Sequence, residues 1–149
     1  MTNMIDKKTI IISYTEHELP FVVDTLSRQL EECCVITLTG DLGAGKTTFV
    51  QELLSCWGVL RSEITSPTFT YLNIYTGYNE LRFYHFDLYR LTTLDAFLYA
   101  GFDEYLYQPN SIAFIEWPEP IMSLLDRKVA HCMFEHSTQE NTRVLRVTF

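Results

Sequence analysis

The residues with the clearest chemical potential in this sequence form a glycine-rich segment that ends in a lysine and a threonine. Gly40 to Thr47 fits the pattern G-x-x-x-x-G-K-[ST] at every defined position. Glycines let the backbone turn so tightly that successive N–H groups converge on phosphate oxygens. Lysine in this position places an ammonium group on the β- and γ-phosphates, and the following threonine offers its hydroxyl to Mg²⁺. The segment therefore predicts a loop that binds the phosphates of a nucleotide.

A magnesium ion beside such a loop needs a carboxylate, since this ion prefers oxygen ligands. Two acids end apolar runs that are typical of strands: Glu116 closes residues 111–116 and Asp87 closes residues 81–87. Sheets of α/β proteins bind ligands at the carboxyl ends of their strands, so both acids are candidates. We predict that Glu116 serves the metal and that Asp87 orients water or polar groups at the γ-phosphate, although the pattern also allows the reverse. With Lys46, they are the candidate catalytic residues.

These groups must be positioned by helices and strands, and the hydrophobic pattern indicates an alternation of both. A capping box at Thr15 and Glu18 precedes an amphipathic helix, whose start is expected beyond Pro20, near Phe21. A second helix is predicted directly after the phosphate loop, over residues 46–57, with shorter helical segments over 94–100 and 103–107.

Seven short runs are typical of β-strands, and two of them predict a hairpin. Residues 69–75 and 81–87 are rich in aromatic residues and flank a turn-like segment, which favours antiparallel pairing. The other predicted strands are residues 9–13, 35–39, 111–116, 129–135 and 143–149. The alternation predicts an α/β fold with a mixed β-sheet flanked by helices.

Length and composition bound the remaining possibilities. The 149 residues match one domain, and 47% hydrophobic against 20% charged residues excludes a disordered chain. No apolar run approaches the ~18 residues that span a bilayer, and the N-terminal residues 1–8 precede no signal-peptide core, so we expect a cytoplasmic protein without membrane contact. The spacing of the four cysteines favours buried, reduced thiols over a zinc site. A net charge of −8 disfavours direct capture of DNA or RNA.

Four segments together resemble the TsaE (YjeE) family, the bacterial ATPase subunit of the machinery that makes threonylcarbamoyladenosine on tRNA. They are GDLGAGKTT from Gly40, SPTF from Ser66, HFDLYRL from His85 and IEWP from Ile115, in matching order and spacing. The resemblance implies one P-loop NTPase-like domain over residues 1–149 that binds ATP and Mg²⁺ and hydrolyses ATP slowly without partners. It also implies partner subunits of the same machinery, with tRNA reached only through them.

The resemblance also assigns roles to individual residues. Thr47 and Glu116 would serve the metal, and Asp87 would lie in the nucleotide pocket. A switch-like segment that senses the γ-phosphate would consist of Ser66, Pro67 and Thr68. The regions of Glu16 and Thr142 would also approach the nucleotide. The residues implied to hold the phosphates are Gly43, Ala44, Gly45, Lys46, Thr47 and Thr48.

Three residues near these motifs have more than one interpretation. Arg90 lies three positions after Asp87 and could pair with it, reach a phosphate or contact a partner. Trp117 could pack in the interior, but the proline after it favours a loop in which the indole meets a partner. His85 is most simply explained as an ordinary strand residue.

Three other functions are compatible with a phosphate loop. A GTPase is disfavoured because no N-K-x-D segment is present to select guanine. A small-molecule kinase would bring several arginines over the phosphates, and no arginine-rich lid segment is found. A nucleotide-gated interaction module, in which ATP binding alone changes affinity for a partner, stays open.

Overall fold

The computed structural model describes residues 7–149, so residues 1–6, the start of the segment considered as a signal peptide, lie outside the described residues. Seven strands and three α-helices are present in that part of the chain, joined by short 3-10 turns. The strands are β1 (Thr9–Thr15), β2 (Val35–Thr39), β3 (Leu72–Thr76), β4 (Arg82–Asp87), β5 (Ser111–Glu116), β6 (Val129–His136) and β7 (Thr142–Thr148). The helices are α1 (Leu19–Glu31), α2 (Lys46–Cys56) and α3 (Leu94–Tyr99).

All seven strands belong to one sheet with the order β1-β7-β6-β2-β5-β4-β3. The four central strands, β6, β2, β5 and β4, run parallel. The outer pairs, β1 with β7, β7 with β6, and β3 with β4, are antiparallel. The predicted mixed α/β sheet and the predicted hairpin are therefore confirmed. The parallel centre brings the carboxyl ends of β2, β4 and β5 to one edge, where α/β folds bind ligands.

Helices cover both faces of the sheet, because the strand residues alternate between two apolar clusters. Ile36, Leu38 and Phe114 pack with α1 and α2 in the larger cluster. Val35, Ala113, Ile115 and Phe86 point to the opposite face and pack with Phe97 of α3. Central strands that are apolar on both faces are typical of parallel sheets covered by helices.

Several local boundaries differ from the sequence prediction. Helix α1 begins at Leu19, before Pro20, because a proline in the first helical turn costs no hydrogen bond there. Strand β3 begins at Leu72 instead of residue 69, since the N–H groups of Thr70 and Tyr71 both donate to the Pro67 carbonyl and close a turn. The predicted helix over residues 103–107 is a 3-10 turn at Phe102–Tyr105. A further 3-10 turn, Glu119–Leu124, was not predicted.

The cysteines are free thiols in differing environments. Cys33 and Cys132 are buried, as expected, and burial raises the pKa of Cys33 to about 11. Cys56 is exposed at the end of α2, so the expectation of burial is wrong for this residue. No helix within residues 7–149 is long and apolar enough to cross a membrane.

Candidate phosphate- and metal-binding site

The glycine-rich segment forms a loop between β2 and the start of α2, at the carboxyl edge of the sheet. Gly45 precedes the helix with φ +104°, a conformation that side-chain-bearing residues rarely adopt. Gly40 approaches β6 closely, because a Cβ added there would lie 2.5 Å from the Phe134 carbonyl oxygen. The first N–H groups of α2 have no acceptor within the helix and face the loop. The loop and the helix end therefore form a cradle suited to an anion.

Lys46 lies inside this loop and is largely buried, with 5% of its surface exposed. Its ammonium group donates to the carbonyl oxygens of Gly40 at 2.5 Å and Asp41 at 2.8 Å. Burial lowers the pKa of Lys46, and the carboxylates of Glu116 and Asp87 act in the opposite direction. The cation is thus held by neutral carbonyl groups, an arrangement that a phosphate can replace with a stronger, charge-assisted contact.

Glu116 connects the loop to the sheet through both of its carboxylate oxygens. Oε1 accepts a hydrogen bond from the Thr47 hydroxyl at 2.7 Å, and Oε2 accepts one from Nε2 of His85 at 2.7 Å. Glu116 is 2% exposed and His85 is fully buried. The predicted proximity of Thr47 and Glu116 thus holds in the structure, and His85 joins them.

Asp87 lies directly beside Glu116 on the neighbouring strand, in register with it. Its side chain is 9% exposed, and Oδ1 accepts a hydrogen bond from the Tyr89 N–H at 3.0 Å. The carboxylate lines the same cavity as Lys46 and Thr47. This bond holds the side chain at the wall of the cavity.

The donor set fits Mg²⁺ in the way that nucleotide sites hold it. This ion is usually bound through one or two carboxylates together with substrate phosphates and waters, and seldom by an all-protein cage. Thr47 and Glu116 bring two hard oxygen atoms together beside the anion cradle, and these would serve as the protein's ligands of such an ion. Among residues 7–149 no cluster of three or more His, Cys, Asp or Glu residues could hold a metal unaided. The residues present therefore suit a magnesium ion that binds together with the phosphates of a nucleotide.

Trp117 follows Glu116 and covers the lysine. Its backbone has φ +58°, and its ring lies 4.2 Å from the Lys46 ammonium and 5.0 Å from the Tyr89 ring. The indole is half-buried, packs on Lys46 and lines the cavity, while its contact with a partner stays a prediction. The indole thereby forms one wall of the site.

The expected switch segment is only partly at the cavity. Thr68 lines it, whereas Ser66 contacts Thr68 through a 2.7 Å hydroxyl–hydroxyl hydrogen bond and Pro67 is buried behind them. Arg90 does not pair with Asp87; its guanidinium lies 5.2 Å from the ring of Phe69. That leaves phosphate or partner contact for Arg90, which lines the cavity.

A second cavity adjoins the first and extends it away from the phosphate loop. The phosphate cavity has a volume of about 340 Å³ and its neighbour about 750 Å³. Glu16 and Arg143 line both, while Thr142 lines only the second. The predicted proximity of the Glu16 and Thr142 regions to the site thus corresponds to this second cavity, which has room for a nucleoside.

The structure brings most of the predicted residues to one cavity and leaves four aside. Ala44, Ser66, Pro67 and Thr142 do not line the phosphate cavity. The predicted residues that do line it are Glu16, Gly43, Gly45, Lys46, Thr47, Thr48, Thr68, Asp87, Arg90, Glu116 and Trp117.

Four residues at the site are not among the predicted ones: Leu42, Tyr89 and Arg143, which line the cavity, and His85, which contacts Glu116. Arg143 places Nη1 within 2.9 Å of where a Cβ of Gly45 would lie, so its guanidinium rests on the phosphate loop. No carboxylate of residues 7–149 lies within ion-pair distance of it. His85 lies within β4, as predicted, and its side chain also contacts Glu116. The available signal for His85 was its position two residues before Asp87, which places both side chains on one face of a strand.

A larger groove of about 1080 Å³ lies at the opposite end of the strands. Its walls include Lys8, Cys33, Arg127, Lys128 and Phe149. It has no glycine loop, no helix N-terminus and no buried carboxylate, so volume alone does not make it the functional site.

Comparison with known proteins identifies relatives of one kind. The family model described as threonylcarbamoyl adenosine biosynthesis protein TsaE matches residues 13–145. The chain is 45% identical over 100 residues to the tRNA threonylcarbamoyladenosine biosynthesis protein TsaE of Treponema pallidum, covering 67% of this chain and 71% of that one. It is 40% identical over 93 residues to the protein of the same name from Borreliella burgdorferi, covering 62% and 66%. The matched segments thus span about two thirds of these relatives.

The fold has a counterpart among solved structures. The crystal structure of YdiB from Bacillus superposes with a TM-score of 0.71 at 26% sequence identity. The superposition covers 95% of this chain and 86% of that protein. The predicted P-loop NTPase-like fold class is confirmed.

Proposed function

This chain belongs to the TsaE family of tRNA threonylcarbamoyladenosine biosynthesis proteins, and we propose that it is the Mg²⁺-dependent subunit that binds and hydrolyses ATP in that pathway. It acts with the other protein subunits of the modification machinery, in the cytoplasm, where tRNA is modified. We propose that the described residues 7–149 constitute one ATP-binding domain.

One observation carries the proposal: the Thr47 hydroxyl and the Glu116 carboxylate meet at 2.7 Å beside Lys46, at the mouth of the glycine loop. Phosphate binding needs the cation and the backbone N–H groups, and magnesium needs the two oxygens. All of these groups lie together at the N-terminus of α2. A glycine turn with no role in binding would not bring them together.

Each charged group has a distinct role in the proposed reaction. Lys46 leaves the carbonyls of Gly40 and Asp41 and contacts the β- and γ-phosphates. Thr47 and Glu116 hold the magnesium ion, which neutralises phosphate charge when bound. Asp87 orients the attacking water, since its carboxylate is fixed at the cavity wall by the Tyr89 N–H. Thr68 senses the γ-phosphate from the rim, together with its hydrogen-bond partner Ser66.

The rim of the cavity supplies a surface for the partner subunits. Phe69 is 81% exposed beside Arg90, and Leu42 and Tyr89 are exposed at the same mouth. Aromatic and arginine side chains are frequent anchors of protein interfaces. Trp117 lies between this rim and Lys46, so the occupancy of the phosphate site can alter the surface that a partner meets.

The decisive experiment measures ATP binding and hydrolysis by the isolated chain and by the chain with its partner subunits. The proposal predicts magnesium-dependent ATP binding, slow turnover alone and faster turnover with partners. Binding with no turnover under either condition would instead favour the nucleotide-gated interaction module, which the exposed aromatic rim also supports. Phosphate transfer to an added small acceptor would favour a kinase. Absence of nucleotide binding would refute the proposal.

The route to tRNA is tested separately. A net charge of −8 disfavours attraction to RNA phosphates, so the isolated chain should not bind labelled tRNA at about 0.15 M salt, whereas the mixture with partners should. Partner binding should also depend on nucleotide and weaken in Trp117→Ala. Tight, salt-sensitive tRNA binding by the isolated chain would contradict this part of the proposal.

A further inference from the structure

His85 is a fully buried polar residue on β4 whose contacts are unbalanced. Nε2 lies 2.7 Å from Oε2 of Glu116, whereas Nδ1 has no hydrogen-bond partner among residues 7–149. One edge of the ring thus makes a short polar contact, and the other edge is buried without one. A buried polar atom without a partner is destabilising, so its retention needs a physical reason.

The surroundings of His85 do not themselves require an imidazole. Phe114 is its register partner on β5 and lies edge-on at a ring distance of 6.3 Å. Phe83, two residues earlier on the same face of β4, belongs to the large apolar cluster. An apolar side chain would fit this environment without leaving a ring nitrogen unpaired. The contact with Glu116 is therefore what distinguishes histidine here.

The direction of that hydrogen bond follows from its partner. A carboxylate oxygen accepts hydrogen bonds, so we assign the proton to Nε2, whose N–H then donates a hydrogen bond to Oε2 of Glu116. The hydroxyl of Thr47 donates to the other oxygen. The carboxylate is consequently held from both sides, by the phosphate loop on one oxygen and by β4 on the other.

We propose that His85 is a positioning residue that orients the Glu116 carboxylate toward Thr47 and the magnesium ion. The inference rests on the proposed function, since it concerns the ion that this function requires. Without the imidazole, Oε2 loses its side-chain donor and the carboxylate can rotate away from Thr47. Loss of such a hydrogen-bonding partner of a metal ligand lowers metal affinity about 10- to 100-fold.

The chain offers a matched pair of variants. In His85→Gln the amide nitrogen takes nearly the place of Nε2 and can still donate to Glu116. In His85→Asn the shorter amide reaches only the region of Nδ1, so polarity is kept but the donor is lost. Binding of a fluorescent ATP analogue is titrated with magnesium, and separately in EDTA, for wild type and both variants. Melting temperatures without ligand are measured in parallel.

We expect the magnesium concentration for half-maximal enhancement of binding to rise about 10- to 100-fold in His85→Asn and to stay within about threefold of wild type in His85→Gln. Affinity in EDTA should stay near the wild-type value in both. Wild-type magnesium dependence in His85→Asn would overturn the proposal. Equal losses in both variants, accompanied by lower melting temperatures and weaker binding in EDTA, would also overturn it, because they indicate a purely structural role.

A second measurement needs no nucleotide, so it keeps the inference separate from the proposed function. In protein labelled with ¹⁵N-histidine, the His85 signals are identified by their absence from His85→Gln. The proposal predicts a proton on Nε2 that exchanges slowly with solvent and shifts in Glu116→Gln. A bare Nε2, or a proton insensitive to Glu116→Gln, would contradict it. Failure of the wild type to bind ATP, with the expected histidine spectrum, would refute the proposed function and leave the positioning of Glu116 supported.

Discussion

The two ends of the candidate site are built in different ways. At the phosphate end, Lys46, Glu116 and His85 are buried and linked by side-chain hydrogen bonds to the loop and the parallel strands. At the other end, where the phosphate cavity meets the second cavity, Glu16 is exposed on a 3-10 turn and Arg143 is half-buried on the antiparallel β6–β7 hairpin. Interactions in a buried setting are electrostatically stronger than at an exposed rim. We therefore expect the phosphate end to determine affinity and the other end to modulate it.

The largest difference between the two ends is expected at Lys46. In Lys46→Ala the ammonium is lost from the phosphate site, and a loss of ATP affinity of tenfold or more, up to about 100-fold, is expected. The melting temperature without ligand should change little, because the ammonium contacts two loop carbonyls and the Trp117 ring and forms no ion pair within residues 7–149. Isothermal titration measures the affinity, with Lys128→Ala in the distant groove as control. Affinity at the wild-type level would remove Lys46 from the site.

Substitutions of the two acids at the phosphate end should affect different steps, magnesium-dependent binding for Glu116 and turnover for Asp87. Glu116→Ala should abolish most of the magnesium enhancement of ATP binding, because it removes a proposed ligand of the ion. Asp87→Ala should lower turnover more than binding, about 100-fold in kcat, as for a residue that acts in the transition state. Magnesium titrations and single-turnover hydrolysis distinguish the two. The opposite result would exchange their roles, and no effect from either would exclude both.

Arg143 provides the sharpest test of the other end. Arg143→Gln should weaken ATP binding about three- to tenfold, less than Lys46→Ala, because its guanidinium is partly exposed and screened by salt. Arg146→Gln is the matched control, since that side chain leaves β7 on the opposite face. The loss should shrink in high salt and be smaller for adenosine than for ATP. A loss as large as that in Lys46→Ala would show that both ends hold phosphate equally.

The smallest effect is expected at Thr142. Its hydroxyl donates to the carbonyl of Glu140 at 3.3 Å, on the wall of the second cavity. Thr142→Ala should reduce ATP affinity by less than about threefold, because a single neutral hydrogen bond at an exposed position adds little. Thr138→Ala, on the same wall, serves as control. A larger loss of ATP affinity in Thr142→Ala would indicate that the nucleoside binds in this cavity and depends on Thr142 more than we expect.

The phosphate end was accessible from sequence because local patterns determine it. Lys46 and Thr47 follow from the glycine loop, and Glu116 follows from the end of an apolar strand. His85 was missed because a histidine among aromatic residues has the pattern of a core residue, and only the register of β4 with β5 brings it to Glu116. Arg143 was missed because its contact with Gly45 depends on how the β6–β7 hairpin pairs, which no local pattern fixes.

The number of strands and the mixed sheet were predicted more completely than the boundaries of individual helices and strands. The alternation of apolar runs indicated the seven strands and the mixed sheet. The start of β3 was placed too early, because residues 69–71 have strand-like composition but are held in a turn by the Pro67 carbonyl. The sequence pattern predicts too late a start for α1, because Pro20 breaks a helix interior but is tolerated in the first helical turn.

The close approach of Gly40 to Phe134 has a consequence for the order of assembly during synthesis. The phosphate loop, at residues 40–47, is translated well before β6, the strand that Gly40 approaches at Phe134. Parallel pairing between such distant segments forms slowly, because chain entropy is lost before the contacts are gained. We therefore expect the nascent chain to contain the complete phosphate-loop sequence well before it can bind a nucleotide. Binding should begin only when β6 pairs with β2.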